Sequence, residues 1–223
     1  MTAIAQVPLK PRKQPVQARS ETTVLAIHEA SIQVLLSIGY RKLTTTRVAE
    51  RAGVSVGTLY QYFPNRQALI RAVLERYLME MSASIQEDCQ TLRGRSLDEI
   101  ATGMVDAMIA AKWRRLDVSR AMHEPLVEVG GVELVRASAA RGASLVADLL
   151  RSCSEIGAVD VDRLAVLLVM ACTSMLQAAF VEYAADRETI RRHMHAMARG
   201  YLCESRGRAA GDPALRRATV SSA

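Results

Sequence analysis

Thr58, Gln61 and Tyr62 stand at i, i+3 and i+4, the spacing that brings side chains onto one face of a helix. Their hydroxyl and amide groups can donate to and accept from base edges or phosphates, which an apolar or acidic face could not do. Leu59 and Phe63, four residues apart, fall on another side as core positions. A plain helical hairpin whose polar face is merely wet has the same spacing and is the competing reading.

Positioning those three side chains is the task of the stretch Thr44 to Leu69, TTTRVAERAGVSVGTLYQYFPNRQAL. Its opening threonines can cap a helix by accepting from the N–H groups that a first turn leaves unpaired. A short helix is expected over Thr45 to Ala52. Gly53 follows where a helix end needs positive φ, Val54 anchors the turn, and Ser55 can cap a second helix over Val56 to Phe63. Pro64 cannot extend that helix, and Asn65 can cap a third beginning at Arg66. The spacing thus predicts a helix-turn-helix, in which one helix braces the next so that its free face can enter a DNA major groove.

Charge is segregated in the same direction. Residues 1 to 66 hold nine Lys or Arg against three acids, whereas residues 67 to 223 hold twenty of each, so the whole net charge of +6 lies in the first part. Clustered cations suit a polyanionic partner through phosphate neutralisation and counterion release; a basic solvated face is the blander account. The chain has only two Phe and one Trp, so Leu, Val, Ile, Ala and Met must build the core, a bias toward helices over strands. The expected class is all-α, with room for one small and one larger unit. Cys89, Cys153, Cys172 and Cys203 are widely separated, and His193 and His195 are two apart and so lie on different sides of a helix. No disulfide framework, metal site or cofactor is expected, and the cysteine usage suits a reducing cytoplasm.

The run VAERAGVSVGTLYQYFPNRQAL, preceded by a helix beginning near Ala18-Arg19 and ending in IGY, closely resembles the N-terminal module of the tetracycline-repressor (TetR) family of bacterial transcription regulators, over about Arg19 to Val73. The resemblance implies that Thr45 and Thr46 reach phosphate or base edges from the start of the bracing helix. It implies that Gly57, Thr58, Tyr60, Gln61 and Tyr62 occupy recognition-helix positions, with Gln61 reading a base and Tyr60 and Tyr62 touching phosphate and sugar. Arg66 matches a position that is usually Lys, and is expected to hold a phosphate where its charge and a helix N-terminus both attract an anion. For Tyr60, packing of the ring against the first helix is the alternative role.

Along the chain, residues 1–18 read as a disordered basic arm and 19–65 as the helix-turn-helix DNA-binding domain. Residues 66–203 read as a helical effector-binding and dimerisation domain, and 204–223 as a flexible tail. About nine helices are expected in all. Val24, Ile27, Ser31, Val34, Leu35 and Ile38 give the first helix its 3.6-residue period, and Gly39 ends it. A long helix should run from Arg66 to about Leu92. Ser96 and Glu99 form a capping box for the next, Leu97 to about Arg115. Pro125 and Gly130-Gly131 bound a short helix holding Met122, His123, Leu126 and Val127, and further helices follow over Val132 to about Ile156, from Asp160 or Asp162, and over Glu188 to Leu202. Between Arg163 and Glu182 lie eighteen uncharged residues. Thr173, Ser174 and Gln177 interrupt that run, which reads as a helix buried on several sides rather than as a membrane span.

Two consecutive helices with surplus apolar surface suggest a subunit interface, and the resemblance likewise implies a homodimer through the last two large helices, about 160–202. It also implies an apolar pocket for an unknown small-molecule effector. The pocket candidates are Met104, Met108, Trp113, Met122, His123, Leu126, Met170, Met175, Gln177 and Phe180, for each of which plain core packing is the competing role. The expected function is a non-enzymatic, ligand-responsive repressor that binds a palindromic double-stranded DNA operator. A small-molecule carrier retaining the head as an appendage is the rival; a helical enzyme is disfavoured by the lack of any catalytic motif.

Overall fold

The computed structural model describes residues 18–157, 159–181 and 186–211, with side chains described over 20–157, 159–179 and 186–203. Among them are nine α-helices and no strand: α1 Ala18–Ile38, α2 Thr45–Ala52, α3 Val56–Tyr62, α4 Arg66–Cys89, α5 Leu97–Arg114, α6 Leu116–Ala121, α7 Gly131–Arg151, α8 Val161–Val181 and α9 Arg187–Gly211. The all-α class follows from the sequence bias noted above. The basic arm before Ala18, the Phe180 side chain and the chain end past Gly211 lie outside the described residues.

The described residues fall into two compact units, one within 18–80 and 115–136, the other within 81–114 and 137–211. The first therefore takes in more than the 19–65 module: the start of α4, all of α6 and the chain up to the first turns of α7 cluster with the helix-turn-helix. Its interior is formed by Ile27, Leu35, Leu43, Val48, Leu59, Phe63, Leu69 and Ile70, each at most 2% exposed. α1 packs on α2 and on α6, and α2 on α3.

In the second unit, Ile100, Met104, Ile109, Leu150, Leu168, Cys172, Met194 and Leu202 belong to one continuous apolar core, which α5, α7, α8 and α9 share. Ile190, Met194, Ala198 and Leu202 repeat at +4 and face inward, so the apolar stripe of α9 is buried within its own protomer, against α5 and α8. The surplus apolar surface lies on α8, where Val166, Leu167 and Met170 are 41%, 49% and 50% exposed. By length and composition Val161–Ala179 could cross a membrane, yet only 33% of that window is buried in the protomer. The expectation that this helix is buried on several sides is thus not met within one chain.

Several boundaries differ from the sequence reading, each for a local reason. Met122, His123, Leu126 and Val127 do not lie in a helix: α6 ends at Ala121 and consecutive turns run to Gly130. Pro125 disfavours the helical conformation of the residue before it, and the N–H groups bond back mainly three residues, as from Leu126 to His123 and from Gly130 to Val127. α7 stops at Arg151 rather than near Ile156, because the Ser152 hydroxyl donates to the Leu149 carbonyl at 2.6 Å and the chain closes into a tight turn there. α9, by contrast, runs to Gly211, beyond the expected end at Leu202 and into the segment read as a flexible tail.

Candidate nucleic-acid interface

α2, α3 and α4 each start on a polar side chain in the place the sequence assigns it. Thr44 Oγ1 accepts from the Arg47 N–H at 3.3 Å, Ser55 Oγ from the Thr58 N–H at 3.0 Å, and Asn65 Oδ1 from the Ala68 N–H at 2.8 Å. α2 closes on Gly53 at φ 67, whose N–H and that of Val54 both return to the Ala49 carbonyl, a left-handed stop that a side chain would strain. Because the caps fix both ends of a three-residue turn, the orientation of α3 on α2 follows from local chemistry.

α3 then divides as its spacing requires. Leu59 is fully buried and Phe63, its C-cap, is 2% exposed. Gly57, Tyr60 and Gln61 are exposed, and Thr58 and Tyr62 are half-buried, so none of the five candidates on this helix is lost to the core. Two of the candidates meet: the Thr45 and Tyr60 hydroxyls are 3.1 Å apart, tying the start of α2 to α3. Thr46 is exposed. The Thr58 hydroxyl is 2.8 Å from that of Ser55, so the cap also orients the first polar side chain of the face. Behind them, His28 packs edge-on against Phe63, with ring centroids 5.7 Å apart. Burial first, then the charge of Arg76, pulls the His28 imidazole down to about 4, so it is held as a neutral spacer.

Arg66 sits at the start of α4, as expected, but with partners the sequence did not indicate. Its guanidinium carbon lies 4.4 Å from the centroid of the Tyr40 ring, and its Nη2 is 3.1 Å from Glu128 Oε1. Gln67 Nε2 donates to the same oxygen at 3.1 Å. The Tyr40 hydroxyl beside Glu128, and after it Arg66 and Gln67, hold that carboxyl below its ordinary range; the hydroxyl itself stands outside strict hydrogen-bond geometry. The only sequence signal for this contact is a cation-free stretch, MHEPLVEVG, carrying two acids.

The pocket candidates are distributed over both units. Met104 and Met108 are buried in the core of the second, and Trp113 and Met175 are partly buried against it. Gln177 is half-buried, while Met170 is half exposed on the outer face of α8. Met122, His123 and Leu126 belong to the first unit, where Met122 is buried, Leu126 half-buried and His123 exposed. Lys112 was not among the candidates, yet burial alone draws its ammonium down to about 8 on the same helix as Met104 and Met108. His195 Nε2 is 2.9 Å from Asp106, while His193 is exposed. Cys89, Cys153 and Cys172 are buried free thiols, and Cys203 is exposed.

Two family models match the chain: "Bacterial regulatory proteins, tetR family" over residues 27–73 and "Tetracyclin repressor-like, C-terminal domain" over residues 96–202. The chain belongs to the TetR family of transcription regulators. Members of that family are helix-turn-helix transcription regulators and not enzymes. Among curated relatives of this TetR-family protein, the HTH-type transcriptional regulator YvkB of Bacillus subtilis (strain 168) is 34% identical over 61 residues, 27% of this chain and 32% of that protein. The fatty acid metabolism regulator protein of the same organism is 27% identical over 64 residues, 29% of this chain and 33% of that one. These matches span about a third of the relatives' length. Solved structures extend the likeness of fold to most of the chain. A TetR-family transcriptional regulator from Mesorhizobium loti superposes with a TM-score of 0.65 at 19% identity, covering 84% of this chain and 98% of that one. The fatty acid degradation regulator FadR of Bacillus halodurans does so with a TM-score of 0.62 at 15% identity, covering 83% and 96%.

Proposed function

We propose that this regulator is a homodimeric repressor in the bacterial cytoplasm that binds a partly palindromic operator and is released by a small apolar or amphipathic effector. The observation that carries the reading is the outer face of α3, where Gln61 and Tyr60 stand free and Thr58 and Tyr62 half-free on a helix braced through Thr45. Gln61 is assigned to a base edge, Tyr60 and Tyr62 to sugar and phosphate, Thr45 and Thr46 to the adjoining backbone, and Arg66 to a phosphate at the start of α4. Gly57 lets the DNA backbone come close. Only Ser55 Oγ lies within 4 Å of where a Cβ would stand on it, at 3.7 Å, so the glycine is not required by packing inside the chain.

Dimerisation through α8 and α9, residues 160–202, is supported by the uncovered Val166, Leu167 and Met170 of α8. On α9 the outward residues Ala196 and Gly200, four apart, are small enough for a second helix to approach closely. Two heads joined this way must present their α3 helices about 34–36 Å apart to enter successive major grooves. An effector that favours another separation lowers operator affinity by its differential affinity for the two states. Amphipathic acyl compounds are the first probes, given the fatty-acid regulators among the relatives and fold neighbours.

The test is selection of operator sequences from random duplexes, followed by binding at several salt concentrations. A single inverted repeat, with binding lost in Gln61→Ala at unchanged fold and dimer mass, is expected. Sequence-indifferent binding would remove operator recognition, and a strictly monomeric species would remove the rest. A carrier that merely retains the head would be indifferent to Gln61→Ala.

A further inference from the structure

The cations of the reading head are not all available to DNA. The turns between α6 and α7 bring two carboxylates onto it: Glu124 Oε1 lies 2.8 Å from Arg41 Nε, and Glu128 Oε1 lies 3.1 Å from Arg66 Nη2. The chain that follows them is fixed from behind. Arg71 of α4 donates to the Val129 and Gly130 carbonyls at 3.0 and 2.9 Å. Gly131 is packed so closely that an added Cβ would stand 2.6 Å from Leu74 Cδ2 and 2.8 Å from the Leu126 carbonyl oxygen. The strap is therefore seated on α4 by contacts with no part in binding DNA, and its acids are aimed at two cations of the head.

We infer that residues 124–128 act as an internal stand-in for DNA phosphate, with Glu124 on Arg41 and Glu128 on Arg66, and so lower the head's affinity for duplex DNA of any sequence. A guanidinium facing a carboxylate contributes little net charge, and a phosphate that comes to Arg66 must displace Glu128 or lie beside it. Because both pairs are solvent-exposed, the side chains exchange partners cheaply. The strap thus weakens the sequence-blind electrostatic part of binding while leaving the base-reading face of α3 untouched, and specificity rises as total affinity falls. The opposite arrangement, in which Glu128 merely holds Arg66 in position for a phosphate, makes the contrary prediction. This inference rests on the DNA-binding reading of the head.

The experiment uses the full chain and a generic duplex of about 30 base pairs, roughly three helical turns, with binding read by fluorescence anisotropy between about 50 and 200 mM salt. Glu124→Gln/Glu128→Gln should bind roughly tenfold tighter at the low end, with a salt slope steeper by about one to two. Arg66→Gln should cost more affinity in the Glu128→Gln background than in the parent, since only there is the guanidinium unopposed. Each glutamine can still accept from its arginine, and unchanged melting temperatures of the single variants confirm an intact fold. If the parent binds the duplex but the acid-free variant binds no tighter, or more weakly, the strap is a positioning device and the inference fails alone. If no variant binds duplex DNA even at low salt, the DNA-binding reading fails and takes the strap with it.

Discussion

Both compact units bury an apolar interior and cap helices with side chains, and they differ in the balance between the two. In the first, Thr44, Ser55 and Asn65 cap successive helices, Arg71 ties α4 to backbone carbonyls, and Arg41 and Arg66 meet carboxylates. In the second, α5, α7, α8 and α9 share one unbroken apolar core, and the ion pairs, such as Arg199 with Asp98, lie outside it. Directional polar contacts fix where a side chain points, and DNA reading needs that. Non-directional apolar packing tolerates repacking among residues of similar volume, as the proposed effector site in the body would require.

Truncation in the body should produce the largest effect. Leu150 is fully buried in its core, so Leu150→Ala is expected to lower unfolding free energy by about 2–5 kcal/mol in urea titration; a loss under about 1 kcal/mol would show a core loose enough to collapse around the gap. Next comes the pH response of the head. His28 is 8% exposed and its pKa falls to about 4 in the fold, against about 6.5 in an unfolded chain. Protons then bind the unfolded state first, so stability is intact above about pH 6.5 and declines as pH falls toward 4, by on the order of 3 kcal/mol in full. Urea midpoints from pH 7.5 to 4.5 should show that decline in the parent, and a flat response would mean the ring is hydrated.

Smaller effects separate reading from folding. Gln61→Ala should weaken operator binding by about 1–3 kcal/mol while relaxing base preference at one position of the half-site, with no change in melting temperature, because the side chain is exposed. Uniform weakening across all sequences would reassign it to phosphate. The mildest change is Ser55→Ala, which removes the cap from α3 and frees the Thr58 hydroxyl. A stability loss of about 0.5–2 kcal/mol is expected, and thermal denaturation together with operator titration would reveal whether the orientation of Thr58 matters beyond the cap.

The head was legible at single-residue resolution because its signals are short-range. Gly53, Ser55, Pro64 and Asn65 mark helix ends through their own backbone preferences, and Leu59 and Phe63 declare the buried side by period alone. The body was legible only in outline. The α9 stripe through Ile190 and Met194 reads equally well as an interface or as an interior, and packing against α5 and α8 settles it as interior. Pro125 was rightly a breaker, but the turns it opens exist to seat on α4, a partner some sixty positions earlier in the chain. Arg66 was expected at the start of α4 and stands there, but its neighbour Glu128 was missed for the same reason: the two are brought to 3.1 Å from 62 positions apart in the chain.

The residue order alone determined the all-α class, the capped helix-turn-helix and the face that α3 turns outward, since caps, glycine stops and helical period act within a few residues. Tertiary structure alone decided which apolar stripe is covered, which arginines stay free and which acids oppose them. Those outcomes depend on pairs of residues far apart in the chain, and no local preference encodes a distance between them.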